Sequence, residues 1–488
     1  MLHGRIAVFM LALWAVLSGS GATLAQSDRD GDGGRRLPQS NAEIQLSYGP
    51  LVKKAAPAVV NIYTRKVVKQ QRSALFNDPL FRRFFGDRFN LPPEDQVRGS
   101  LGSGVIVRDS GVIITNHHVV DGADEIRVLL ADRREFDAEV VLADDRTDLA
   151  VLRIDTGDEK LPTLSFANSD AVQVGDLVLA IGNPFGIGQT VTSGIVSASA
   201  RTQKGISDFG FFIQTDAAIN PGNSGGALVD MRGRLLGVNT AIFSKTGTSS
   251  GIGFAIPANM VRSVLRAALS DGTLERPWLG VAGQTVTNQI AGSLGLDRAG
   301  GVLVDRIYPG SPAAKAGIKV GDVILAVAGK EIVDEESMRF RVATHQSGEE
   351  ITLGVFSEGA LKELSVPLAT APEDPSRNET KLSGKHPFNG VAVANLSPAT
   401  NEELHIDPFL RGVIITAMAR RSPAAKYGFF RPGDIILAFN GEAIERVSNL
   451  EKVLAQDADR YSYRLRRGNQ ELECLIVPDK SFRCRRAR

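Results

Sequence analysis

Cysteine and histidine are scarce in this sequence, and their scarcity limits the chemistry open to the chain. Among 488 residues there are two cysteines, Cys474 and Cys484, and six histidines. They form no cluster with the spacing of metal ligands, and no nucleotide-binding loop is present, so we expect neither a catalytic metal nor a cofactor. A local disulfide between the two cysteines is compatible with an oxidising compartment, and the sequence leaves their pairing open.

An excess of charge of one sign is also missing. The 56 Lys and Arg residues nearly balance the 55 Asp and Glu residues. No global field therefore favours nucleic acid or an anionic membrane as the main partner, and we expect no nucleic acid to bind. The basic C-terminal segment, residues 480–488, is interpreted as a solvated tail.

Long apolar runs are absent beyond the first residues. Residues 6–17 are apolar and follow His3 and Arg5, an arrangement typical of a secretory signal. The run is shorter than the roughly 20 residues that a spanning helix needs. We therefore expect residues 1–25 to be a signal peptide cleaved after Ala25, and the mature chain to be exported from the cytoplasm without a stable membrane span. An uncleaved anchor is the alternative.

The pattern of the next 245 residues indicates a β-rich domain. Residues 26–45 are rich in Asp, Gly, Ser and Arg and are expected to be a flexible lead-in. Residues 46–270 carry short β-branched runs separated by Gly, Asn and Asp, which favours an antiparallel barrel or sandwich closed by a helix near 259–269. The Phe-rich segment 74–95 interrupts this pattern, either as a loop that fills local core or as an exposed insertion that contacts another subunit or guards the cleft.

The C-terminal part of the chain repeats itself. WLGV and GSPAAKAGIKVGDVILAVAGKEI return as FNGV and RSPAAKYGFFRPGDIILAFNGEAI, with an offset of 111 residues between Gly310 and Arg421. This predicts two similar small domains, residues 276–370 and 387–479. The polar segment 371–386 lacks any strand-like run and is interpreted as their linker.

One serine in the first domain is flanked by glycines. In GNSGGAL, Gly222 precedes Ser224, and Gly225 and Gly226 follow it. Glycine permits backbone conformations closed to other residues, so the loop can turn its amides inward around the serine hydroxyl. Such amides would form an oxyanion hole for a tetrahedral intermediate.

A nucleophilic serine needs a base and a carboxylate that orients the base. The domain contains two histidines, His117 and His118, in TNHHVV. Among nearby acids, Asp148 directly precedes the strand-like LAVLRI, whereas Asp144 and Asp145 suit a turn. The chain order His, Asp, Ser is that of chymotrypsin-like double barrels, not that of subtilisin or α/β-hydrolases.

These motifs together resemble the HtrA family, in its two-PDZ DegP/DegQ branch. The matching elements include GSGVIV, TNHHVV, DLAVL, IGNPFG, FIQTDAAINPGNSGGAL and IGFAIP, followed by both repeats. The resemblance implies a mainly β protein, with a chymotrypsin-like double β-barrel followed by two small α+β PDZ domains. Because the family's base directly precedes VV, it selects His118, so the catalytic triad is expected to be His118, Asp148 and Ser224.

The resemblance also assigns roles to residues around the triad. The expected sites are the oxyanion amides of Gly222, Asn223 and Ser224, a small apolar specificity pocket walled by Ile252, Gly253 and Phe254, a regulatory loop residue, Arg201, and the peptide-binding loop Trp278, Leu279, Gly280 and Val281. In the second repeat, FNGV departs from the family pattern, which leaves a peptide-binding domain and an assembly or spacer module as alternatives.

The function that the resemblance implies is ATP-independent cleavage of unfolded exported polypeptides in the periplasm, as part of envelope protein quality control. The PDZ domains are expected to bind C-terminal peptides and to regulate cleavage, and the resemblance implies a homotrimer or a higher oligomer. Two other functions remain open: a holding chaperone or PDZ scaffold in which proteolysis is secondary, and a processing protease with one dedicated partner.

Overall fold

The computed structural model describes residues 47–68, 96–183, 188–202, 210–220, 222–242, 251–270, 272, 274–456, 460–476 and 482–487. The expected signal peptide, the lead-in 26–45 and the Phe-rich segment 74–95 lie outside these residues. The chain divides into a first unit, Met1–Pro50, and a second unit, Leu51–Arg488, whose structure follows. Helix α1, Gly49–Ala55, lies at their boundary and is followed by a 3-10 turn, Ala56–Ala58.

Six antiparallel strands close into a first barrel. The strands are β1 Val59–Val68, β2 Gln96–Arg108, β3 Val112–Thr115, β4 Glu125–Leu129, β5 Glu135–Asp144 and β6 Leu149–Ile154. Their order around the barrel is β1-β2-β3-β6-β5-β4. A short helix, α2 His117–Val120, leaves the end of β3. Strand β3 is buried along its whole length, so its end lies at the barrel interior.

A second closed barrel follows. Its strands are β7 Leu177–Gly182, β8 Thr190–Thr202, β9 Phe211–Thr215, β10 Ala227–Asp230, β11 Leu235–Ile242 and β12 Gly253–Pro257, in the order β10-β11-β12-β9-β8-β7. A 3-10 turn, Ser169–Ala171, precedes it, and helix α3, Ala258–Leu269, follows it. Closure leaves neither barrel with a free sheet edge. The prediction of a double barrel is confirmed.

The first repeat forms a small α+β domain. Its strands are β13 Pro277–Trp278, β14 Val281–Thr285, β15 Val302–Ile307, β16 Val323–Val327, β17 Lys330–Glu331, β18 Glu350–Ser357, β19 Ala360–Pro367 and β20 Ala369–Thr370. Its helices are α4 Asn288–Leu294, α5 Pro312–Lys315 and α6 Glu335–Ala343. The main sheet has the order β14-β15-β16-β18-β19, so β14 is an edge strand among the described residues.

The second repeat has the same layout with additional strands. Its strands are β21 Thr380–Lys381, β22 Val391–Asn395, β23 Val413–Met418, β24 Ile435–Phe439, β25 Glu442–Ala443, β26 Tyr461–Arg467, β27 Gln470–Ile476 and β28 Phe482–Arg486. Its helices are α7 Pro398–Glu403, α8 Pro423–Tyr427 and α9 Val447–Leu454. The sheet order is β21-β22-β23-β24-β26-β27-β28.

Two segments that the sequence assigns to a linker and a solvated tail form strands. Strand β21 lies in the linker 371–386 and pairs with β22. Strand β28 lies in the tail 480–488, where its side chains are exposed but its backbone pairs with β27. Cys474 and Cys484 are directly opposite in this pair and form a disulfide. The backbone of each segment forms hydrogen bonds with the edge of a neighbouring sheet. The local sequence pattern does not reveal these bonds, because they depend on the partner strand.

None of the helices in the described part of the chain combines the length and the apolar character needed to cross a lipid bilayer.

Candidate active site

Asp148 lies in the tight turn between β5 and β6, in a conformation that is rare for a residue with a side chain. Its φ of 56° is in the left-handed region, which is uncommon outside glycine, asparagine and aspartate. The residue is 6% exposed. Its backbone carbonyl accepts hydrogen bonds from the His117 amide at 3.1 Å and from Asn116 Nδ2 at 2.9 Å. These bonds fix the turn and aim the carboxylate at helix α2.

The Asp148 carboxylate faces the ring of His118. Its Nδ1 lies 2.8 and 2.9 Å from the two Asp148 carboxylate oxygens, and its backbone amide donates to Oδ1 at 3.1 Å. With Nδ1 donating to the carboxylate, the neutral ring carries its lone pair on Nε2, as a general base requires. The side chain is 50% exposed. His117 donates its backbone amide to the Asp148 carbonyl instead.

Thr240 also contacts the Asp148 carboxylate, a role that the sequence does not predict. Its Oγ1 donates to Asp148 Oδ2 at 2.5 Å, and the residue is buried near the end of β11. The segment GVNTAIF reads as an ordinary strand, and one threonine in it carries no local signal. Only the fold brings β11 beside the turn before β6.

Ser224 lies in the loop between β9 and β10. Its Oγ donates to the backbone carbonyl of Thr240 at 3.0 Å, and its own carbonyl accepts from the Ser103 amide at 2.8 Å. Within the described residues, no hydrogen bond joins Ser224 to His118. Because Thr240 contacts both Ser224 and Asp148, all three predicted triad residues nevertheless meet around one strand end.

The peptide group between Gly222 and Asn223 is held at both ends. The Gly222 carbonyl accepts from Ser103 Oγ at 2.6 Å, and the Asn223 amide donates to the Asn220 carbonyl at 2.9 Å. The Asn223 amide is therefore engaged, whereas the amides of Gly222 and Ser224 have no acceptor among the described residues. In this conformation the loop offers two free donors rather than the three expected.

The glycine after the serine is required by a close backbone approach. Gly225 has a φ of 83°, and a Cβ there would lie 2.0 Å from the Ser103 carbonyl oxygen and 2.4 Å from Thr115 Oγ1. Any side chain would push the loop away from β2. The sequence pattern GNSGG thus has a steric cause at this position.

Of the expected pocket residues, Gly253 and Phe254 begin strand β12 and Ile252 directly precedes it. Phe254 is 2% exposed, and its ring centroid lies 5.8 Å from that of Phe212 in the protein core. A Cβ at Gly253 would lie 2.7 Å from Ile219 Cδ1, and Ile252 packs against the same core as Phe254. The three residues are contiguous at one end of the second barrel, but the Phe254 ring faces the core.

The expected regulatory residue, Arg201, is near the end of a strand rather than in a loop. It belongs to β8, where its backbone pairs with Phe212. The residues that follow, 203–209, lie outside the described part of the chain.

The expected peptide-binding loop of the first repeat turns sharply at Gly280. Trp278 and Leu279 are buried, and Gly280 has a φ of 77° with its carbonyl accepting from the Tyr308 amide at 2.8 Å. A Cβ at Gly280 would lie 2.2 Å from Ser311 Cβ. Val281 then begins β14, whose outer edge is paired by no described strand. The loop therefore leads directly into an open sheet edge.

Comparison with known families agrees with the fold. A model of the trypsin-like peptidase domain matches residues 102–238, and two PDZ-domain models match residues 277–368 and 414–460. Fold and matches together define a serine endopeptidase of the trypsin-like class that carries two PDZ domains.

Relatives extend the similarity over most of the chain. The periplasmic serine endoprotease DegP of Escherichia coli is 36% identical over 497 residues, covering 96% of this chain and 98% of DegP. The periplasmic pH-dependent serine endoprotease DegQ of Escherichia coli is 37% identical over 431 residues, covering 88% of this chain and 91% of DegQ. A probable DegP-like periplasmic serine endoprotease of Chlamydia trachomatis is 39% identical and covers 84% of each chain. The chain belongs to the HtrA family of serine endoproteases.

Solved structures of the HtrA-type protease AlgW are also similar. One with a decapeptide is 48% identical, with a TM-score of 0.50, and covers 67% of this chain and 99% of the AlgW chain. Another with a tripeptide is 43% identical, with a TM-score of 0.51, and covers 67% of this chain and 98% of the AlgW chain.

Proposed function

We propose that this endopeptidase uses Ser224 as nucleophile, His118 as general base and Asp148 as the carboxylate that orients the base. The observation that carries the proposal is the Asp148 carboxylate, which accepts from both His118 Nδ1 and the Thr240 hydroxyl while Thr240 also holds Ser224. A buried carboxylate in this position fixes the imidazole tautomer and stabilises the imidazolium that forms during attack.

The reaction begins with a rotation of the Ser224 side chain. Its Oγ leaves the Thr240 carbonyl and turns toward His118, whose Nε2 accepts the hydroxyl proton as Oγ attacks the scissile carbonyl carbon. The Gly222 and Ser224 amides donate to the oxyanion of the tetrahedral intermediate. Protonated His118 then delivers the proton to the leaving amine. In the second half of the reaction, water attacks the acyl carbon while His118 accepts its proton, and His118 returns that proton to Ser224 Oγ as the acyl group leaves.

The substrates that we propose are unfolded polypeptides in the periplasm. The compartment follows from the names of the relatives, which are periplasmic endoproteases, and from the apolar N-terminal segment of this chain. Extended segments suit the molecule because the loop 278–281 and the open edge of β14 accept a peptide only as an added strand. A role in protein quality control follows from this preference for unfolded chains.

A direct contact supports regulation of cleavage by the first PDZ domain. Phe340 of α6 is 1% exposed and stacks on Phe211 of β9, with 4.1 Å between ring centroids. The neighbouring Arg341 forms an ion pair with Asp170 and lies over the Phe211 ring. Because β9 leads into the loop that carries Ser224, movement of α6 on peptide binding is transmitted to the catalytic barrel.

Casein digestion tests the triad assignment. The wild-type chain should degrade casein, whereas Ser224→Ala and His118→Ala should not, and His117→Ala is the matched control that should retain activity. Digestion by Ser224→Ala at the wild-type rate would refute the nucleophile. Intact casein with every variant would favour a processing protease with a dedicated partner.

A parallel aggregation assay separates the protease from a holding chaperone. Ser224→Ala should be mixed with a chemically unfolded client, and light scattering followed over time. Suppression of scattering by this variant would establish a chaperone activity that does not need the nucleophile, while unchanged scattering would limit the function to proteolysis.

A further inference from the structure

The two PDZ domains differ at the strand edge where peptides add. In the first domain, the outer edge of β14 is unpaired among the described residues. In the second domain, the equivalent strand β22 is paired by β21, so Thr380 lies opposite Val393 and Lys381 opposite Ala392. The pairing is antiparallel, which is the orientation that a peptide adopts when it extends such a sheet.

Leu382, the residue after β21, makes the contacts expected of a peptide's last residue. Its amide donates to the Val391 carbonyl at 2.8 Å, and its carbonyl accepts from the Gly390 amide at 2.8 Å. Gly390 belongs to FNGV and corresponds to Gly280 in WLGV of the first repeat. The Leu382 carbonyl therefore occupies the place where a C-terminal carboxylate would meet the loop amide.

The correspondence between the loops is geometric as well as sequential. Gly390 has a φ of 78° and Gly280 a φ of 77°. The Gly390 carbonyl accepts from the Ala419 amide at 2.9 Å, as the Gly280 carbonyl accepts from Tyr308. The difference is on the amide side, because the Gly280 amide has no acceptor among the described residues.

The side chain of Leu382 also fills an apolar pocket. It is 4% exposed and belongs to the core cluster of the second domain, together with Phe388 and Val391 of the loop and Leu450 and Leu454 of α9. Lys381, one residue earlier, is exposed. This alternation matches a strand that buries its last side chain and leaves the penultimate one in solvent.

We propose that residues 380–382 are an internal ligand of the second PDZ domain. They occupy its groove in place of an external peptide whose free C-terminus ends in a branched aliphatic residue. Because the segment is tethered, it competes at an effective concentration on the order of millimolar. An external peptide binds the second domain only in the fraction of molecules whose internal segment has detached, which weakens its apparent affinity by that fraction.

The test uses full-length protein with Ser224→Ala, so that no peptide is cleaved. The outcome of this binding test therefore does not depend on the proposed proteolysis. The probe is an octapeptide ending in Thr-Lys-Leu with a free carboxylate, and its C-terminal amide is the peptide control. The peptide carries a photoreactive amino acid. The yield of crosslinks to β22, followed against peptide concentration, reports binding at the second domain, and the yield of crosslinks to β14 reports binding at the first.

Leu382→Ser should tighten binding at β22 by about tenfold or more, because the serine no longer fills the pocket. Lys381→Ser, the matched control, should bind as weakly as the protein without either change. Equal affinity in both variants, with the second domain folded, overturns the proposal.

A second measurement stands even if Leu382→Ser does not fold. In the protein with its natural linker, saturating peptide should raise amide exchange at 380–382 while β22 stays protected. Peptide crosslinks to β22 without faster exchange at 380–382 would show that the segment is not displaced, and would also overturn the proposal.

Discussion

The hydroxyl of Thr240 donates a hydrogen bond to the carboxylate of Asp148, with 2.5 Å between Oγ1 and Oδ2. Because this carboxylate is nearly buried and faces a histidine, each hydrogen bond to it affects the orientation of the base. A bond to a charged group typically contributes about 1.5–3 kcal/mol. Thr240 is thus a positioning residue for the proposed triad.

Thr240→Val removes this donor without changing the shape of the side chain. We expect kcat to fall by about 10–100-fold, which is the range that this loss of stabilisation gives. Thr240→Ser keeps the hydroxyl and should retain most of the activity. Rates of peptide hydrolysis and of Ser224 labelling by a fluorophosphonate measure the effect, and a valine variant with the natural kcat would contradict it.

Ser103 of β2 forms hydrogen bonds with the loop that carries Ser224, called the nucleophile loop below. Its Oγ donates to the Gly222 carbonyl at 2.6 Å and accepts from the Asn183 amide at 2.9 Å. Ser103→Ala frees the peptide group next to the proposed oxyanion donors. We expect kcat to fall by about tenfold with KM nearly unchanged, because Ser103 holds donors that act in the transition state.

Ser169→Ala is the matched control for this change. Ser169 is also buried, and its Oγ accepts from the Asn259 amide, away from the nucleophile loop. A similar fall in melting temperature in both variants, with kcat reduced only for Ser103→Ala, is the expected result. Parallel losses of kcat would mean that Ser103 matters for stability alone.

Much of the fold could be predicted because its cause is local. Alternating and buried β-branched runs, turn glycines and the repeated GD-I-L pattern predict the barrels and both repeats. The site was partly predictable for the same reason: GNSGG carries a backbone requirement that is visible at Gly225. Thr240 and Ser103 were not predictable, since they act through partners 92 and 119 residues away.

The strands β21 and β28 could not be predicted from the sequence either. Both lie in polar segments that have no strand-like pattern, and each is a strand because a neighbouring edge offers backbone partners. Edge pairing depends on the partner sheet more than on intrinsic preference. For that reason the linker 371–386 gave no sign at the sequence level of its contact with β22.

Phe340 provides a test of coupling between the first PDZ domain and the catalytic barrels. Phe340→Ala removes a ring buried against Phe211, a change that costs about 3–5 kcal/mol at core positions. We expect stimulation of casein cleavage by an apolar C-terminal peptide to be lost. Met338→Ala, the control, removes a buried side chain from the domain's own core. The control should keep its stimulation, and stimulation that persists in Phe340→Ala would contradict this coupling.

The carboxyl of Glu402 in α7 should make the stability of the protein depend on pH. Burial raises the pKa of its carboxyl above the ordinary value of 4.5, although Arg146, Arg276 and Arg339 act in the opposite direction. Between the two pKa values the folded protein binds more protons than the unfolded chain does, so this group lowers the free energy of unfolding as pH rises. The contribution of Glu402 is therefore favourable in acid and is lost toward neutral pH.

Glu402→Gln removes that titration. In a Ser224→Ala background, which prevents self-digestion, the urea midpoint of the glutamine variant should exceed that of its parent at neutral pH, and the difference should shrink in acid. Glu403→Gln is the matched control, because Glu403 is exposed and pairs with Arg377 at 2.8 Å. A midpoint difference for Glu402→Gln that grows as pH falls would reverse the sign of the argument and show that the three arginines outweigh burial at this carboxyl.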